Sequence, residues 1–213
     1  MLSSRSFQND SADVTFESDD LVNPDEVFAG DSAPFAVRLS RAGCATFGRF
    51  DLRDANGTFA AGYRGYYSDG KLGATNVNRP AESFVAVRWH AGKVTELGPG
   101  IAFAILDDGT AVGRGAAHAT LWDPVGNATD LTPDARASTA YAIDAAHRVI
   151  GSLTANDGRH HAFLWERGHL RMLGDILGAP SWRLEAAFRF LPDGSIVGAG
   201  THDGIASGFI LRD

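Results

Sequence analysis

Short apolar runs broken by polar turns recur along this chain, and none is long enough to read as a helix with one buried face. Five runs end in glycine: VFAG (27–30), FAAG (59–62), TAVG (110–113), RVIG (148–151) and SIVG (195–198). Each follows a polar turn (NPDE, DANGT, DDG, DAAH or LPDG). Asp, Asn and Gly accept the backbone angles that hairpin turns require. A further apolar strand precedes the turn: AFAIL (102–106), AYAI (140–143), AAFRFL (186–191) and, more weakly, GRFDL (48–52) and DDLV (19–22). A third strand follows the glycine: FAVRL (35–39), VAVRW (85–89), HATLW (118–122), HAFLW (161–165) and GFIL (208–211). In four of the repeats a tight turn and a fourth strand come next, in RAGCATF, HAGKVTEL, PVGNATDL and ERGHLRML.

A unit of four short strands, repeated five times, predicts an all-β protein: a five-bladed β-propeller of four-stranded antiparallel blades. One blade cannot bury both of its faces alone, so blades stack around an axis. The fifth unit lacks a fourth strand, and an unassigned strand, DVTFE (13–17), stands near the N-terminus. The expectation is that residues 13–17 complete the last blade and close the ring, making 1–213 a single propeller domain.

HAFLWERGHLRMLG (161–174) followed by FLPDGSIVGAG (190–200) resembles the bacterial HAF-type repeat, and HATLW (118–122) is a weaker copy. PDGSIVGAGTHDG and HATLWD are similar to WD-repeat blades. The resemblance implies a propeller in which the first strand of each blade lines the channel and the fourth lies outside. It implies no activity. The histidine that names the HAF motif, His161 here, is replaced in the other units by His118, Val85, Phe35 and Ser207, which argues for a packing position.

Composition narrows the function classes. Apolar residues make up 44% and charged residues 21% of the 213, ordinary values for a globular protein. The net charge of -7 argues against sequence-independent nucleic-acid binding and against docking on anionic membranes. Cys44 is the one cysteine, so an intrachain disulfide is excluded. The N-terminus MLSSRSFQND has no apolar signal core, so the expected compartment is the cytoplasm, or the exterior if a leader has been trimmed away. A monomer is expected. Asn56-Gly57-Thr58 and Asn127-Ala128-Thr129 match glycosylation sequons that arise readily by chance.

Candidate chemistry lies in the loops, because a fold does not specify a function. In the propeller reading, one face carries the loops after each glycine strand and the loops into each first strand. The longest is 63–83, with Arg64, Tyr66, Tyr67 and Arg79 as aromatic and cationic contacts for a polar ligand. Its bland alternative is an ordered surface loop. SLTANDGRHH (152–161) offers Asp157 and His160 as an acid/base pair and Arg159 as an anion contact, or is a polar turn. Trp182 and Arg183 form a stacking wall or cover a gap between blades. His202 lies in an Asp-Gly turn, and Arg114 follows its glycine closely. Tyr67, His160 and Asp157 are thus the candidate catalytic residues. Arg64, Tyr66, Arg79, Arg114, Arg159, Trp182, Arg183 and His202 are the candidate binding residues.

No paired cysteines, HExxH, GxSxG or phosphate-loop motif occurs, so neither a metal nor a cofactor is expected. The polar loop residues are not repeated from unit to unit, which argues for one composite pocket and against five equal sugar sites. The expected function is binding of one small polar molecule or saccharide. The alternatives are a lyase, cyclase or hydrolase acting in the same pocket, and a protein-interaction platform.

Overall fold

The computed structural model describes residues 7–8, 14–17, 35–40, 43–49, 51–56, 58–66, 72–73 and 83–212. The chain divides into two compact units, Met1–Gly109 and Thr110–Asp213. The protein is all-β, built from antiparallel sheets that repeatedly hold four strands in chain order.

In the first unit, β1 (Phe7–Gln8), β2 (Val14–Glu17), β3 (Phe35–Ser40) and β4 (Gly43–Arg49) form one sheet. β2 is the strand expected to close the ring against GFIL, and its partners are different. Val14 stands opposite Leu39 and Glu17 opposite Ala36 on one edge, while Phe7 stands opposite Thr15 on the other. A strand has two hydrogen-bonding edges: β3 pairs along the whole of one edge of β2, and β1 pairs with Val14 and Thr15 on the other. The V-T-x-apolar pattern that suggested an outer strand suits any half-buried strand equally well. VTFE takes the second-strand place proposed for VFAG (27–30), which lies outside the described residues, as does DDLV (19–22).

The second sheet contains β5 (Asp51–Ala55), β6 (Phe59–Tyr66), β8 (Ser83–His90) and β9 (Lys93–Pro99), with the short β7 (Leu72–Gly73) also pairing with β6. GRFDL is therefore divided between two sheets, β4 ending at Arg49 and β5 starting at Asp51. Ala60, Val87 and Trp89 form a small core with Leu52, Ala55 and Val94 around it. β10 (Ile101–Ile105) ends the unit, and its Ile105 N–H donates to Asp54 Oδ2 at 2.8 Å. Burial pushes the Asp54 carboxyl above its ordinary range, against the backbone hydrogen bonds from Ile105 and Ala55 that pull it down. The buried Arg88 donates from Nη1 to the Gly109 carbonyl at 2.7 Å.

The second unit begins with β11 (Ala111–Arg114), β12 (Ala119–Trp122) and β13 (Ala128–Asp130). A four-stranded sheet follows: β14 (Ala137–Ile143), β15 (Val149–Thr154), β16 (His160–Glu166) and β17 (His169–Met172). A short helix, α1 (Leu173–Leu177), leads to β18 (Trp182–Phe190), β19 (Ile196–His202) and β20 (Ile205–Leu211). The hairpins β16–β17 and β19–β20 turn on Arg167-Gly168 and Asp203-Gly204, where both residues have positive φ. This is the mirror-image turn whose twist matches paired strands. The core of the unit packs Ile150, Ala162 and Leu164 against Leu173, Leu184, Ala187, Ile196 and Phe209.

Gly151 and Gly198 lie inside strands rather than at their ends, since β15 runs on to Thr154 and β19 to His202. Their cause is close approach. A Cβ on Gly151 would stand 2.0 Å from the Thr139 carbonyl oxygen and 2.8 Å from the Phe163 ring. One on Gly198 would stand 2.2 Å from the Ala186 oxygen and 2.3 Å from the Phe209 ring. In both sheets the preceding strand is irregular here, with register shifts at Ala140/Ala142 and Leu184/Ala186. The register also sets the ring directly opposite, Gly151 to Phe163 and Gly198 to Phe209. A β-carbon is excluded from both sides, and glycine is the residue that fits.

Candidate functional site

The second unit gathers candidate residues at one end of its strands. A cleft of about 630 Å³ is lined by the start of β16, by α1 with the segment that follows it, and by the start of β18. Local turn chemistry builds its walls. Gly178 closes α1 in the left-handed conformation and donates its N–H to the Gly174 carbonyl at 3.0 Å. Trp182 N–H donates to the Ala179 carbonyl at 3.0 Å, which turns the chain into β18.

Trp182 lines this cleft, and the register of β18 on β19 puts His202 directly across from it. The two rings stack with centroids 4.5 Å apart and planes at 14°. Arg159 and Arg183 flank the indole with side chains 73% and 59% exposed. Each has a carboxylate beside it. Arg159 Nε lies 3.5 Å from Asp157 Oδ2, and Arg183 Nε donates to Glu185 Oε1 at 2.7 Å. Exposed pairs of this kind contribute little, so an incoming acceptor competes for the guanidinium groups. Asp157 also holds the turn itself, accepting the Arg159 N–H at 2.9 Å.

Of the residues singled out in the sequence, Arg159, Trp182 and Arg183 line this cleft, with His202 stacked on Trp182 and Asp157 beside Arg159. His160 and Arg114 line a separate cavity of about 310 Å³. Neighbours on a strand project to opposite sides, which parts His160 from His161, and Arg159, just before the strand, lines the larger cleft. Arg64 belongs to the first unit, where Nη1 stands 3.5 Å from Glu96 Oε1. Tyr66 sits in β6 opposite Ser83 and Leu72. Tyr67 and Arg79 lie outside the described residues.

Two polar lining residues are not among the candidates that the sequence suggests. His161 sits at a position that other repeats fill with Val85 or Phe35, which argued for packing, yet here it is half-buried and borders the cleft. GDILGAPSWRLE reads as a loop in the sequence, where Asp175 has no distinguishing pattern. The Leu173–Leu177 spacing followed by Gly178 is the signal for the single helical turn that carries it.

Among the described residues no set of three His, Cys, Asp or Glu side chains is grouped to hold a metal ion, and no helix is long and apolar enough to cross a membrane. No protein-family model and no curated protein sequence matches this chain.

Proposed function

We propose that the protein binds one small polar ligand of the saccharide class in the 630 Å³ cleft of the second unit. The observation that carries this reading is the half-buried Trp182 face, backed by His202 and flanked by Arg159 and Arg183. A sugar presents an apolar C–H face and a rim of hydroxyls. The indole takes the first, while the guanidinium groups, Asp175 and His161 take the second. The cleft volume lies in the range of small-molecule sites. Calorimetric titration with a panel of mono- and disaccharides tests it. Trp182→Ala is expected to weaken binding by about tenfold or more. A panel in which no saccharide binds, or a Trp182→Ala protein that binds as the parent does, overturns the reading.

We further propose that the repeated sheets are blades of one five-bladed ring. Chain-order antiparallel sheets support it, as does the glycine-to-phenylalanine pairing shared by the sheets β14–β17 and β18–β20. Small-angle scattering is expected to give a radius of gyration of about 17 Å, that of a compact body of this length. A distance distribution with two separate maxima, one for each of two apart bodies, overturns the ring.

A further inference from the structure

We propose that the 310 Å³ cavity bearing Arg114 and His160 is a second binding site, for a small hydroxylated organic anion carrying a phosphate or a carboxylate. Its walls come from the end of β11, the segment after it, the start of β14 and the β15–β16 hairpin. Register builds the polar surface. Thr154 stands opposite both Ala137 and His160, and Thr139 stands opposite Ser152. Directly paired residues share a face, as do residues two apart. Thr139, Ser152, Thr154 and His160 therefore form two neighbouring cross-strand rows on one face of the sheet.

The charge of this cavity is one-sided. The protein has 26 acidic side chains against 19 Lys and Arg, yet no carboxylate lines these walls. Arg114 is exposed and has no carboxylate partner among the described residues, unlike Arg159 and Arg183 in the larger cleft. Its planar fork of donors matches an oxyanion in two-point geometry. His160 Nδ1 lies 3.2 Å from Thr154 Oγ1. With the Thr154 hydroxyl donating to Nδ1, the imidazole carries its proton on Nε2, where it becomes a second donor to the anion. Thr139 and Ser152 supply hydroxyls for the hydroxyl groups of the ligand.

The site is held in advance of binding. Ser138 donates its backbone N–H to the Ala117 carbonyl at 3.1 Å, and its Oγ accepts the Ala119 N–H at 2.6 Å. Ser138 also hydrogen-bonds Thr132 Oγ1, so its polar groups are spent on fixing the 115–118 segment to β14. Such prior fixing lowers the ordering cost of binding.

The test uses the full chain and isothermal titration calorimetry with three probes: inorganic phosphate, 3-phosphoglycerate and glycerate. The two organic probes separate a phosphate anchor from a carboxylate anchor. At least one is expected to bind, more weakly at raised salt. Arg114→Ala is expected to weaken it about tenfold or more, Arg114→Lys by less, and His160→Ala by an intermediate amount. Circular dichroism of each variant confirms that it is folded. The proposal fails if none of the three probes binds, or if Arg114→Ala binds as the parent does. It also fails if Arg183→Ala removes anion binding while Arg114→Ala keeps it, since the anion then occupies the larger cleft. Saccharide binding at Trp182 is read by different probes and different variants, so either site can fail alone.

Discussion

The sheets β14–β17 and β18–β20 are built from closely similar sequence and meet different surroundings. Both have an aspartate turn, an inward glycine, a facing phenylalanine and an aliphatic residue after it. In the first sheet these are Asp144, Gly151, Phe163 and Leu164. In the second they are Asp193, Gly198, Phe209 and Ile210. The glycine is pressed by the ring opposite it in both sheets, although the second ring, Phe209, also joins the core shared between the sheets. The aliphatic position differs. Leu164 is 6% exposed in the core with Leu184 and Ile196, whereas Ile210 is 56% exposed. Pattern decides which face a side chain takes, and the layer stacked on that face decides what the side chain contributes.

That contrast can be broken most severely at Leu164. Leu164→Ala removes a buried side chain from the shared core and is expected to cost about 2–5 kcal/mol in urea unfolding. A cost as small as that of a surface change would mean that the two sheets do not pack as described. Next in size are Gly151→Ala and Gly198→Ala. Each pushes a methyl group toward a carbonyl and a ring, and each is expected to cost roughly 1–3 kcal/mol. The two costs should be similar, since both glycines answer to neighbours within their own sheet. A neutral result at either would remove close approach as the reason for the glycine. Smallest is Ile210→Ala, expected to stay within about 0.5 kcal/mol of the parent. A loss as large as that of Leu164→Ala would mean that another surface covers β20 in solution.

The second unit was the more legible half of the sequence. HAFLW and GFIL fall within the strands they announced, and RVIG and SIVG each run into theirs from one residue before it, because alternating apolar residues and polar turns point the same way there. The N-terminal strand forms as expected but pairs with β1 and β3, for a physical reason. VTFE specifies a strand but not a partner, since backbone pairing is indifferent to most side chains, and β3 takes one of its edges and β1 part of the other. Trp182 and Arg183 were readable as a stacking wall, although they open the strand β18 rather than lie in a loop, and the stacking of His202 on Trp182 follows from the β18–β19 register. The separation of His160 from His161 follows from alternation along β16, which sends adjacent residues to opposite faces. Asp175 lies in a single helical turn that only the Leu173–Leu177 spacing and the following Gly178 announce.

The stacked pair at the cleft also gives the protein an optical signal of its own. Of its four tryptophans, Trp89 and Trp122 are buried, Trp165 is half-buried on another surface, and Trp182 has an imidazole against one face and the open cleft beside it. A ligand entering there changes the solvent around a single indole while the two buried ones stay in fixed surroundings. Intrinsic emission therefore reports occupancy without a label, and it reports on this cleft rather than on the cavity at Arg114.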